Sequence, residues 1–63
     1  MQRTYLVNQT TWRVAGYLLK RGDTIEFVDR DAKQHTVKIN HSYFTTPLWV
    51  NEEDFYAHCV KLL

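Results

Sequence analysis

The 63 residues contain one cysteine, one proline and two glycines, and each scarcity closes off an option. Cys59 has no partner in the chain, so no internal disulfide forms. An unpaired thiol without a secretory leader fits a reducing, cytoplasmic setting. No apolar run approaches the ~20 residues that span a bilayer. The opening residues, Met1 to Asn8, lack the long apolar core of a signal peptide, and a start at Met1 fits a whole small gene product. No internal repeat, low-complexity segment or linker breaks the sequence, which reads as one domain over residues 1–63. Charge is also scarce: the net value is +1, with basic residues toward the front (Arg3, Arg13, Lys20, Arg21) and an acidic run, Glu52-Glu53-Asp54, near the end. A dedicated nucleic-acid binder more often carries a domain-wide basic excess, so the balance disfavours that role.

Recognisable catalytic and metal-binding patterns are missing as well. His35, His41, His58 and Cys59 include the usual ligand types. They lack Cys-x-x-Cys or His-x₃-His spacing, and adjacent His58 and Cys59 point apart in either a strand or a helix. Cys59 beside His58 has no Gly-rich oxyanion loop to accompany it. These residues read as solvated or partly buried histidines and a small core thiol. The carboxylates Glu52, Glu53 and Asp54 sit where a helix first turn favours anions. Asn8-Gln9-Thr10 and Asn40-His41-Ser42 match the glycosylation acceptor pattern, which without a leader reads as chance in polar turns. The expectation is a non-enzymatic chain with no catalytic residue, metal or cofactor.

A clear hairpin remains. Ile25 and Phe27 alternate with Thr24 and Glu26, and imperfectly with Val28, while Val37 and Ile39 alternate with Thr36 and Lys38. A period of two places Ile25, Phe27, Val37 and Ile39 on one face of an antiparallel pair, with Glu26 opposite Lys38. The connecting Asp29-Arg30-Asp31-Ala32-Lys33 lacks Asn-Gly or Asp-Gly, which predicts more than a two-residue turn. Upstream, Arg3 to Val7 predicts a strand with Tyr5 and Val7 on one side. Thr11 to Ala15 predicts another, with Trp12 and Val14 together, broken or bulged at Gly16. Tyr17-Leu18-Leu19 either closes that strand or serves as a connector. Arg21-Gly22-Asp23 is a turn in which glycine supplies the positive φ of a type II geometry. Downstream, Asn40-His41-Ser42 is a turn, Ser42 to Thr46 reads as extended, and Leu48-Trp49-Val50 as a strand beyond Pro47. Asn51 is a helix N-cap candidate, with Val50 and Phe55 at hydrophobic-staple positions. Two readings of the tail stay open. In one, Phe55, Cys59 and Leu62 continue a helix; in the other, one helical turn gives way to a last strand alternating Tyr56, His58, Val60 and Leu62.

Leu18 to Phe27, a hydrophobic-x-basic-Gly-Asp-x-Ile stretch, resembles the turn and strand of SH3-like small β-barrels. Trp49-Val50, the polar Asn51-Glu52-Glu53-Asp54 turn and Phe55 are similar to the region before the last strand of such barrels. The resemblance covers roughly Leu18 to Leu63. It implies a mainly β, antiparallel, partly open barrel of about five strands with a short C-terminal helix or helical turn. It implies no ligand: the acidic-aromatic segment, the paired Trp and the Pro-x-x-Tyr of proline-peptide-binding members have no counterparts here.

A domain of this size buries only about 60% of the surface its unfolded chain exposes, and small domains usually lean on a disulfide, a metal or a partner chain. With no disulfide, a partner protein or a second copy is the simplest staple. The nine aromatics exceed what such a core holds. The expectation is that Trp12, Phe27, Trp49 and Phe55 are core, that Tyr43-Phe44 and Phe55-Tyr56 each send one ring outward, and that Tyr5, Tyr17, Tyr43 and Tyr56 form a rim that meets a protein partner. The alternative is a nucleic-acid-binding barrel in which Arg3, Arg13, Lys20, Arg21 and Lys38 meet phosphates.

Overall fold

Alternating side chains at the start of the chain become its first strand. The computed structural model describes residues 3–62. In β1 (Arg3–Val7), Tyr5 and Val7 are buried and Leu6 is half-buried on the other face. β2 (Thr11–Val14) buries Trp12 and Val14, and β3 (Tyr17–Lys20) buries Leu19. These two strands form a tight hairpin, Val14 facing Tyr17 across Ala15-Gly16. Both turn residues have positive φ, 47° at Ala15 and 87° at Gly16, the geometry whose twist matches a two-residue hairpin. The next turn is held by the Asp23 N–H donating to the Lys20 carbonyl (3.0 Å), with Gly22 at φ 98°.

β4 (Thr24–Asp31) and β5 (Thr36–Asn40) form the central hairpin, and β6 (Leu48–Asn51) adds to β5. Ile25, Val37 and Ile39 are fully enclosed, and Phe27 lies partly buried against them. α1 (Glu52–His58) starts at Asn51, whose Oδ1 accepts from the N–H groups of Glu53 (2.8 Å) and Asp54 (3.2 Å). Its acidic first turn meets the positive end of the helix dipole. The backbone turns extended at Cys59 (φ −130°, ψ 149°) and becomes β7 (Cys59–Lys61), which pairs with β1. All pairings are antiparallel. One sheet runs β6-β5-β4-β1-β7, and β2-β3 stand as a separate ribbon.

Several expectations are corrected here. Among the described residues seven strands form two sheets that do not close into a barrel. Tyr17-Leu18-Leu19 belong to a strand of their own. The central turn falls at residues 32–35, since β4 continues through Asp31. With the turn that late, Glu26 faces Asn40 and Lys38 faces Asp29, and a bulge between Phe27 and Asp29 shifts the register by one within the pair. Residues 42–46 are turn and bend, closed by the Phe44 N–H on the His41 carbonyl (2.9 Å). Trp49, expected in the core, is 49% exposed. Cys59 ends the helix rather than continuing its apolar stripe, so both readings of the tail held a part: a two-turn helix, then a strand.

Two stability effects follow. An L-residue in the left-handed region costs roughly 1–2 kcal/mol, and asparagine tolerates that region best. Exposed Ala15 replaced as Ala15→Asn therefore stabilises the fold by up to about 1 kcal/mol, seen as a raised urea midpoint with an unchanged slope. Phe55 is fully enclosed, and Phe→Ala at such sites costs about 3–5 kcal/mol, comparable to the whole stability a core this small supplies. Phe55→Ala is expected to lose its folded circular-dichroism and amide-dispersion signatures at room temperature.

Candidate functional site: an aromatic groove beside a strand bulge

Phe27 and Val28 are consecutive apolar residues in a strand that otherwise alternates. Alternation leaves Phe27 against the core and Val28 out, 44% exposed, and the bulge after Phe27 then sets Arg30 rather than Asp29 opposite the enclosed Val37. Tyr56 is 50% exposed on α1, one residue beyond the enclosed Phe55. Arg3 on β1 places its guanidinium 5.5 Å from the centre of the Phe27 ring. Arg30, past the bulge, bonds to Glu52 at the start of α1. The Arg30 guanidinium holds the Glu52 carboxyl below its usual range, hydrogen bonding being the larger cause. Arg3, Phe27, Val28, Asp29, Arg30 and Tyr56 together line an open groove of about 460 Å³.

The four tyrosines do not gather. Tyr5 is buried, its ring 4.7 Å from Phe55, 5.8 Å from Phe27 and 6.3 Å from Tyr56. It belongs to the floor beneath the groove rather than to the surface. Burial and the neighbouring Tyr56 push its phenol above the ordinary value. Tyr17 and Tyr43 lie at the 41–44 turn instead. Tyr17 is half-buried with its ring 4.9 Å from Phe44, while Tyr43 is 59% exposed and leans on His41 at 4.6 Å. Each adjacent aromatic pair does send one ring inward (Phe44, Phe55) and one outward (Tyr43, Tyr56).

The five cations are dispersed too. Arg13 and Lys20 share the outward face of the β2-β3 ribbon, and Arg21 follows in the turn. Arg3 stands over Phe27, and Lys38 lies 5.9 Å from the Trp49 ring on the solvent face of β5-β6. The exposed Val28 and Trp49 and the Arg30–Glu52 pair escaped the sequence. The one legible signal was the apolar doublet Phe27-Val28 in an alternating strand.

His41, His58 and the Cys59 thiol are each committed to structure. The His58 ring stacks on Trp12 (5.1 Å, 8° between planes), and its Nδ1–H donates to the Asp54 carbonyl at 2.7 Å. The His41 side chain is only 5% exposed. Its Nδ1 accepts from the Tyr43 N–H (3.0 Å), and its Nε2 is 3.6 Å from the Asp23 carboxylate. Among the described residues no three His, Cys, Asp or Glu side chains converge as metal ligands, and no helix is long and apolar enough to cross a membrane. Comparison with family models, with curated proteins and with solved structures finds no match.

Burial pushes the Cys59 thiol up to about 12 from 9.0. A group whose folded value is raised stabilises the fold fully below its unfolded value, and that contribution is lost as pH climbs. Stability should therefore fall from about pH 9 toward 12, with Tyr5 adding in the same direction from 10.0. Urea midpoints of the native chain and of Cys59→Ala, compared across that range, should show a shallower decline for the variant. Alkylation by iodoacetamide at neutral pH should need denaturant.

Proposed function

We propose that this chain is a small non-enzymatic binding module that meets a protein partner through the exposed apolar residues of the groove, Val28 and Tyr56 over Phe27, flanked by Arg3. The observation that carries this reading is the groove itself, which Val28 (44% exposed) and Tyr56 (50% exposed) line together with Phe27 and Arg3. Tyrosine and arginine around an apolar floor are the types that concentrate interface energy. The scaffold is read as an SH3-like arrangement. In its favour are a first strand lying between the fourth and the last, a hairpin inserted after it, and a short helix before the closing strand. The lone, buried Cys59 supports a cytoplasmic setting for this reading. Nucleic-acid binding has weaker support, because Arg3 and Lys38 stand apart from the Arg13, Lys20 and Arg21 of the ribbon. A second copy in the groove is the homodimer form of the same proposal.

The test is capture from the native organism's lysate with the wild-type chain, Val28→Asp, Tyr56→Ala and, as a control on another face, Leu18→Ser. A protein retained by wild type and the control but lost, by tenfold or more, from both groove variants is the expected result. Light scattering on the same samples reads the homodimer: a mass that doubles for wild type and not for Val28→Asp. Equal capture by all four chains with no change in mass would remove the proposal.

A further inference from the structure

Before Asp23 the sequence contains no Asp or Glu, and the fold concentrates that imbalance. In the β2-β3 ribbon, Trp12 and Leu19 face each other inward, as do Val14 and Tyr17, while Thr11 faces Lys20 and Arg13 faces Leu18 on the outside. Residues directly opposite share a face. The outer face is therefore Thr11, Arg13, Leu18 and Lys20, continued by exposed Arg21. Leu18 is 46% exposed among these cations. Among the described residues none of the three cations has an ion-pair partner. The nearest carboxylate along the chain, Asp23, accepts from the Lys20 N–H (2.9 Å) and lies beside His41. The ribbon is also held firmly. Trp12 stacks on His58, and the base is tied by the Val7 N–H to the Asp23 carbonyl (2.9 Å) and the Gly22 N–H to the Val7 carbonyl (3.0 Å).

We infer that the outer face of this ribbon docks an acidic segment of a partner protein, one that carries an apolar side chain among carboxylates. Charge complementarity sets the sign. Arg13 and Lys20 are diagonal neighbours, about 7–8 Å apart at the backbone, near the roughly 7 Å between alternate residues of an extended chain. Leu18 decides the class of partner. A phosphate backbone offers a leucine nothing, and single-stranded nucleic acids need aromatic platforms, yet both aromatics of the ribbon, Trp12 and Tyr17, lie on the inward side. This surface is separate from the Val28–Tyr56 groove and goes beyond the role proposed for it.

The experiment is amide NMR of the full chain at low salt, titrated with a capped peptide of alternating glutamate and leucine, the same peptide with glutamine for glutamate, and oligo-dT. The expected result is shifts centred on Thr11, Arg13, Leu18, Lys20 and Arg21 with the acidic peptide and none with the glutamine peptide. Binding should be roughly tenfold weaker in Arg13→Glu/Lys20→Glu, weaker in Leu18→Ser and unchanged in Val28→Asp. Three results would each overturn it: no shifts on the ribbon at millimolar peptide, oligo-dT binding at least as tightly to the same residues, or a doubled mass without peptide that the charge reversal abolishes, which would make a second copy the occupant. Because Val28→Asp leaves this face intact, failure here and failure of the groove are read separately.

Discussion

One phenylalanine ring joins the two sheets. Phe55 lies 4.7 Å from Tyr5 of β1, 6.0 Å from Phe27 of β4 and 6.2 Å from Trp12 of β2, measured between ring centres. The first two belong to the five-stranded sheet and the third to the ribbon. A two-stranded ribbon is marginal in water, and a helix of seven residues is too short to persist alone. Each therefore exists because it buries something against the other. The ribbon gives Trp12, Val14 and Leu19, and the helix gives Phe55. The Asn51 cap and the acidic first turn tune where the helix begins, but the enclosed ring is what makes it form. The structure is cooperative for that reason: no part of the core can be withdrawn without exposing the rest.

The same shortage of interior explains the surface. Tyr5, Trp12, Phe44 and Phe55 occupy the core, Tyr17 and Phe27 reach its edge, and Tyr43, Trp49 and Tyr56 remain outside. Register decides which rings stay out. Trp49 faces Lys38 on β5, and the side chains flanking Lys38, Val37 and Ile39, are the enclosed ones, so Trp49 shares the solvent side. Tyr56 follows Phe55 along the helix, and one residue is about 100° of rotation, enough to carry it to the rim. The exposed aromatics are thus a geometric consequence of where the enclosed ones sit, and binding is a use to which that consequence lends itself.

Elements whose side chains obey one period were legible in the sequence. Arg3–Val7, Thr11–Val14, the Ile25/Phe27 and Val37/Ile39 faces, the Gly22 turn and the Asn51 cap all follow from alternation or from a residue with one strong conformational preference. The failures have a common cause: two local signals competed and tertiary context chose. Ala15-Gly16 makes a hairpin without the usual Asn or Asp, because pairing of Trp12 with Leu19 over the core outweighs the strain at Ala15. Cys59 satisfies both a helical and an alternating pattern, and the open edge of β1 draws it into a strand. Glu26 missed Lys38 because β4 runs on through Asp31, and a turn at 32–35 rather than 29–33 carries Lys38 opposite Asp29. The groove was the least legible part, since its walls come from β1, β4 and α1, and only the Phe27-Val28 doublet marked it locally.

The two surfaces differ in how they arise, and that difference bears on how freely each can change. The groove sits on the central aromatic cluster: Phe27 is its floor, Tyr56 adjoins Phe55, and Tyr5 lies beneath. Its shape is tied to the packing that holds the sheets together, so only Val28, Tyr56 and the flanking charges can vary without disturbing the core. The ribbon's outer face carries no such burden. Its inward side chains and the backbone bonds at its base anchor it, and strand alternation turns Thr11, Arg13, Leu18 and Lys20 to the other face. A two-stranded ribbon pinned through one face leaves the other free to take any charge pattern. That this one is uniformly positive around a leucine is therefore not required by folding.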